Sequence, residues 1–150
     1  MFSSMYPFWS FVIAVLVAQG IKPFFAIKSQ KGLNWRLVTA SGGMPSSHTA
    51  GVFSLCLAVG IQESFDSTAF AICLAFGLIV AYDAANVRYY AGKNIQLTKS
   101  ILEDLKSKNE IVIDEPIYEE PIKEVLGHKW SEVFVGGILG MIVALILYFI

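Results

Sequence analysis

Two histidines are the only imidazoles in the 150-residue sequence, and both stand where a polar stretch meets an apolar one. His48 closes the run Ser41-Gly42-Gly43-Met44-Pro45-Ser46-Ser47-His48 ahead of one apolar segment. His128 lies in Gly127-His128-Lys129-Trp130-Ser131-Glu132-Val133 ahead of another. An imidazole titrates near neutral pH, so such a pair suits nucleophilic attack by one ring and proton transfer by the other. The first run also reads as an anion cradle. Gly42 and Gly43 let backbone approach a ligand, Pro45 fixes the turn, and Ser46 or Ser47 caps a helix whose first N–H groups attract negative charge. An ordinary capped helix start after a glycine turn explains the same glycines, proline and serines, but not a histidine beside the cap. Glu132 follows His128 by four residues, so on a helix its carboxylate can hold one ring nitrogen and leave the other free to attack. A solvated surface pair has the same spacing. A phosphate touching both rings would set them roughly 5 to 8 Å apart. Arg88 carries a fork suited to bidentate phosphate binding, and nearby Asp83 needs a partner in Arg88, Lys22 or a helix terminus.

Membrane helices are the elements expected to position these groups. Apolar residues make up 55% of the chain, the mean hydropathy is +0.61, and a soluble domain rarely carries so much. Four apolar segments stand out, at about Tyr6 to Ile27, Thr49 to Ile61, Ser67 to Ala85 and Glu132 to Ile150. Each is read as a membrane helix, although the second is short and contains Gly51 and Gly60, as a segment lining a polar cavity can. The fold class is therefore all-α, a polytopic helical bundle forming a single domain over 1–150. All eleven Lys and Arg residues fall between Lys22 and Arg36 or between Arg88 and Lys129. The positive-inside rule then makes the loops at about 28–47 and 88–131 cytoplasmic and puts both termini on the opposite face. Both histidines come out on the cytoplasmic side. Asn94 to Lys108 reads as an amphipathic cytoplasmic helix, and Asn109 to Pro121 as an extended acidic stretch. The N-terminal apolar run has no basic residue before Lys22 and reads as a retained helix, not a signal peptide. Cys56 and Cys73 lie within apolar runs without metal-ligand spacing and read as small buried hydrophobes.

The Pro45-Ser46-Ser47-His48 run together with Gly127-His128 and Glu132-Val133 resembles the type 2 phosphatidic acid phosphatase superfamily, and more closely its divergent bacterial and plant branch. The branch's Gly-Gly-Met-Pro-Ser-Ser-His run matches Gly42 to His48. Its Asp-Ala-x-x-Val-Arg run matches Asp83 to Arg88, and its Leu-Gly-His run matches Leu126 to His128. The resemblance implies a helical-bundle enzyme in which His128 attacks phosphorus and His48 protonates the leaving oxygen. It also implies that Arg88, Gly43 and the Ser46-Ser47 amides hold phosphoryl oxygens. The first-motif lysine is open between Lys22, Lys28 and Lys31, and Arg36 stands for its arginine. Three departures separate the chain from the parent superfamily. Serine replaces glycine before His48, Glu132 replaces aspartate, and 39 residues separate Arg88 from His128 where the parent has a short stretch.

The expected reaction is metal-independent hydrolysis of a phosphomonoester or pyrophosphate through a phosphohistidine, with no cofactor. A loose phosphoryl transition state needs mainly positioning and positive potential. The expected substrate is a lipid phosphate, its head at the headgroup level and its tails in hydrocarbon. Membrane lipids are the other expected partners, nucleic acid is not one, and homo-oligomerisation is left open. Two other classes are weighed: an inactive phosphate-binding membrane scaffold, and a small transporter subunit. Gathering of the polar residues at one face speaks against transport.

Overall fold

The computed structural model describes residues 4–28, 42–108 and 127–150. They form helices α1 (Tyr6–Lys28), α2 (Ser47–Glu63), α3 (Thr68–Tyr82), α4 (Arg88–Ser107) and α5 (Trp130–Phe149), with a π-helical turn, Asp83–Val87, joining α3 to α4. Among the described residues there is no strand.

Side-chain caps explain several of the boundaries. Ser46 Oγ accepts from the Thr49 amide at the start of α2, and Ser67 Oγ accepts from the Phe70 amide at the start of α3. Between them Ser64 turns the chain at φ 89°, and Ser67 Oγ donates to its carbonyl at 2.7 Å. At α5 the Glu132 carboxylate accepts from the Lys129 amide at 3.1 Å, a charge placed on the positive end of the helix dipole. No proline falls between Thr68 and Tyr90, and the one glycine there, Gly77, sits within α3 without breaking it, so the helix runs on through the π turn. The amphipathic helix expected from Asn94 therefore begins at Arg88.

Helix α2 is the centre of the bundle, with α1, α3 and α5 packed around it. Small residues allow close approach. Ala14 and Ala18 of α1 meet Ala50 of α2 and Val143 of α5 in one cluster. Gly136 and Gly140, one turn apart on α5, lie directly on the α2 backbone. A Cβ on Gly140 would stand 2.0 Å from the Ala50 carbonyl oxygen, and one on Gly136 would stand 2.4 Å from that of Ser46. This small-x-x-x-small spacing is how membrane helices come together where burial of apolar surface gives no drive. The outer faces carry Leu16, Phe76, Ile79, Phe134 and Ile142, all exposed, as expected where lipid and not water is the solvent.

Among the described residues three helical stretches, Tyr6–Phe25, Thr68–Ser107 and Trp130–Phe149, are long and apolar enough to cross a bilayer. The expected count of about four differs by α2, whose 17 residues extend only about 25 Å. Its neighbours shield it from lipid, so it can carry Ser47, Thr49 and Ser54 on buried positions. The end of α1, the starts of α2 and α5 and the end of α3 meet at one end of the bundle. At the other, Tyr6 Oη donates to the Ala144 carbonyl at 2.8 Å.

Candidate active site

Three hydrogen bonds to backbone carbonyls bring the two histidines together. The Ser46 amide donates to the Glu132 carbonyl at 3.1 Å. Thr49 Oγ1 donates to the Val133 carbonyl at 3.1 Å, and the missing side chain at Gly136 makes room for both contacts. The third connection runs from the π turn. There the hydrogen-bond ladder steps from four residues to five, and the Ala84 carbonyl accepts from the His128 amide at 2.9 Å. Gly127 permits this docking. It adopts φ +81°, and a Cβ there would lie 2.3 Å from the Tyr89 amide nitrogen, so neither the conformation nor the space admits a side chain.

The ring centroids of His48 and His128 consequently stand 6.1 Å apart with their planes at 67°, within the separation a shared phosphate requires. His128 is 1% exposed. Its Nδ1 lies 3.1 Å from Glu132 Oε2, while its Nε2 is buried with no partner among the described residues. A carboxylate can only accept, so in the neutral ring the pairing assigns the proton to Nδ1 and the lone pair to Nε2. His48 Nδ1 is likewise buried without a partner among the described residues.

Positive charge surrounds the pair. Lys22 of α1 is buried and lies within electrostatic reach of both His48 and Glu132. His48 sits at the α2 start, outside the three crossing stretches. Its burial, followed by the charges of Arg88, His128 and Lys22, holds its pKa below the usual imidazole value, with Asp83 opposing. Arg88 Nε donates to Asp83 Oδ2, which settles the partner of Asp83 among the three candidates.

The remaining expected site residues divide. Gly43 takes a left-handed turn at φ +88° ahead of the cap. Ser46 acts as the cap and as the tether to α5. With its amide engaged by Glu132, Ser46 is not available as an amide ligand for phosphate. The amides of Ser47 and His48, first in the helix, have no intrahelical acceptor and retain that capacity. The side chain of Lys28, and Lys31 and Arg36 entirely, lie outside the described residues. Among the described residues no three His, Cys, Asp or Glu side chains cluster as metal ligands. Four positioning features went unread in the sequence: Thr49, Gly127, the Gly136/Gly140 pair and the Ala84 carbonyl. The Gly-x-x-x-Gly spacing was a usable signal for one of them. The Ala84 carbonyl leaves no trace in residue type.

A model of the "Divergent PAP2 family" matches residues 3–143. The chain is also similar to the "Uncharacterized membrane protein YuiD" of Bacillus subtilis (strain 168). The two are 37% identical over 148 residues, covering 95% of this chain and 93% of that protein. No solved structure matches.

Proposed function

The chain belongs to the divergent PAP2 family of membrane proteins, and from that premise we propose that it is a metal-independent lipid-phosphate phosphatase working through a phosphohistidine. The observation that carries this reading is the Nε2 of His128, buried and without a partner among the described residues, backed by Glu132 and facing a second imidazole whose ring centroid is 6.1 Å away. In the first half-reaction the Nε2 lone pair attacks phosphorus. The bond from phosphorus to the lipid oxygen breaks, and His48 gives that oxygen its proton. In the second, water attacks the phosphohistidine, His48 takes the water's proton, and orthophosphate leaves with the Nε2 lone pair restored. Arg88, Lys22 and the amides of Ser47 and His48 balance the charge on the transferring group.

A phosphate-bearing head at the bilayer surface with hydrocarbon tails in the membrane fits a site at the end of a helical bundle. Phosphatidic acid, phosphatidylglycerol phosphate and prenyl pyrophosphates share that chemistry. The concentration of basic residues in the loops at this end supports a cytoplasmic orientation. Phosphate release by the purified protein from these lipids, with His128→Ala as control, tests the reading. Turnover lost in the variant is the expected result. Phosphate binding without turnover in the wild type would make the chain a phosphate-binding scaffold instead. Flux across liposomes without hydrolysis would make it a transporter subunit.

A further inference from the structure

An α-helix would set Asp83 and Arg88 apart. Residues five positions distant lie about 140° from one another around its axis, so their side chains would point different ways. In the turn Asp83–Val87 the Arg88 amide donates to the Asp83 carbonyl, one residue beyond the α-helical ladder. That wider turn brings the two side chains onto one face, and Arg88 Nε donates to Asp83 Oδ2. The pair is 51% and 37% exposed, and both charges act on His48.

The contact with Asp83 uses the inner edge of the guanidinium. No bond to its two terminal nitrogens is found among the described residues. The group is planar with donors in a fixed fork, so gripping one edge fixes the direction of the other. A half-exposed arginine without such a grip sweeps through many rotamers and must be ordered each time it binds an anion. We propose that Asp83 is a positioning residue, holding Arg88 by Nε so that its terminal N–H groups face the phosphoryl group between His48 and His128. This rests on the phosphatase reading for the identity of the guest, but not for its turnover. The carboxylate has two opposed effects: its charge repels the phosphate, and its grip orders the arginine that binds the phosphate. The repulsion acts on a guest lying beyond the arginine and falls with distance, whereas the grip is a direct charge-assisted hydrogen bond, so the grip dominates.

Binding of inorganic phosphate to the full chain in lipid nanodiscs, followed by titration calorimetry, tests this on four proteins: wild type, Asp83→Ala, Arg88→Ala and the double variant. Asp83→Ala is expected to weaken binding about tenfold when Arg88 is present. In the Arg88→Ala background the same change should leave binding unchanged or tighten it, because only the repulsion remains. Asp83→Leu, which keeps the size but cannot accept from Nε, replaces the alanine variant if that chain does not fold, and Asp83→Glu should restore binding to within about threefold of wild type. Weakening by the same factor in both backgrounds, or tighter binding in the wild-type background, would overturn the positioning role. So would a wild type that binds no phosphate. Lipid-phosphate turnover measured on the same proteins separates the two readings. Coupled binding without wild-type turnover sinks hydrolysis and keeps the role of Asp83, whereas turnover without coupling does the reverse.

Discussion

His128 and Glu132 are joined through one ring nitrogen only, with Nδ1 3.1 Å from Oε2 and Nε2 left buried and unpartnered among the described residues. The carboxylate thereby selects the tautomer whose lone pair is on Nε2 and supports the positive charge that develops on attack. Glu132→Gln should lower kcat roughly 100-fold or more while leaving phosphate binding within a few-fold. A kcat close to wild type would show that Glu132 serves α5 as a cap and no more.

The two histidines should differ in their dependence on the leaving group. An aryl phosphate leaves as a stable phenolate and needs little protonation, whereas a lipid alkoxide needs a proton in the transition state. His48→Ala should recover part of its activity on the aryl substrate, and His128→Ala should recover none and trap no phosphoenzyme. A chelator should change neither variant nor wild type. Equal losses on both substrates would undo the assignment of roles.

Histidine-selective NMR of the free protein should find His48 titrating below the ordinary imidazole range, in the direction set by its burial and its cationic neighbours. A positive neighbour disfavours the protonated ring, so Arg88→Gln must move the His48 pKa upward. A downward movement would mean that Arg88 acts on His48 mainly by displacing water and not by its charge. On lipid substrates kcat/KM should accordingly fall as pH rises through the His48 pKa, since the acid is then lost from the free enzyme.

Gly136→Ala and Gly140→Ala should each separate the starts of α2 and α5, because the added Cβ would meet carbonyl oxygens at 2.4 and 2.0 Å. Overpacking of this kind costs about 1 to 3 kcal/mol. Thermal unfolding in detergent should show the destabilisation, together with a loss of activity larger than that of an outward-facing control such as Ile142→Ala. Wild-type stability in both variants would mean that the helices slide apart freely.

Single cysteines at Gln30 and Asn109, introduced after removal of Cys56 and Cys73, should be labelled from the cytoplasmic side, and cysteines near Met1 and Ile150 from the opposite one. Reversed labelling would defeat the orientation drawn from the basic residues.

Much of this arrangement is local and was legible before folding. Helix starts at Ser46 and Ser67 follow from a hydroxyl within reach of an amide three residues on, and the crossing stretches follow from runs of apolar side chains. The placement of His48 and His128 at helix starts follows from the same boundaries. The Asp83–Arg88 partnership was one of three options in the sequence, because the face on which Arg88 lies depends on whether the chain there winds as an α-helix or a π-helix.

What the sequence determined by itself was the all-α membrane class, the identity of the two imidazoles and the clustering of basic residues in the two segments that lead up to them. These depend on hydropathy and on contacts spanning a turn or two. The tertiary structure alone decided that the short α2 is the central helix and that Ser46 gives its amide to Glu132 and not to a ligand. It also decided that Gly127 presses His128 against the π turn. Thr49 and Val133, whose bond ties the two halves of the site, are 84 residues apart. Their meeting depends on how closely two backbones approach, which is set by side chains absent at Gly136 and Gly140 and cannot be read from either segment alone.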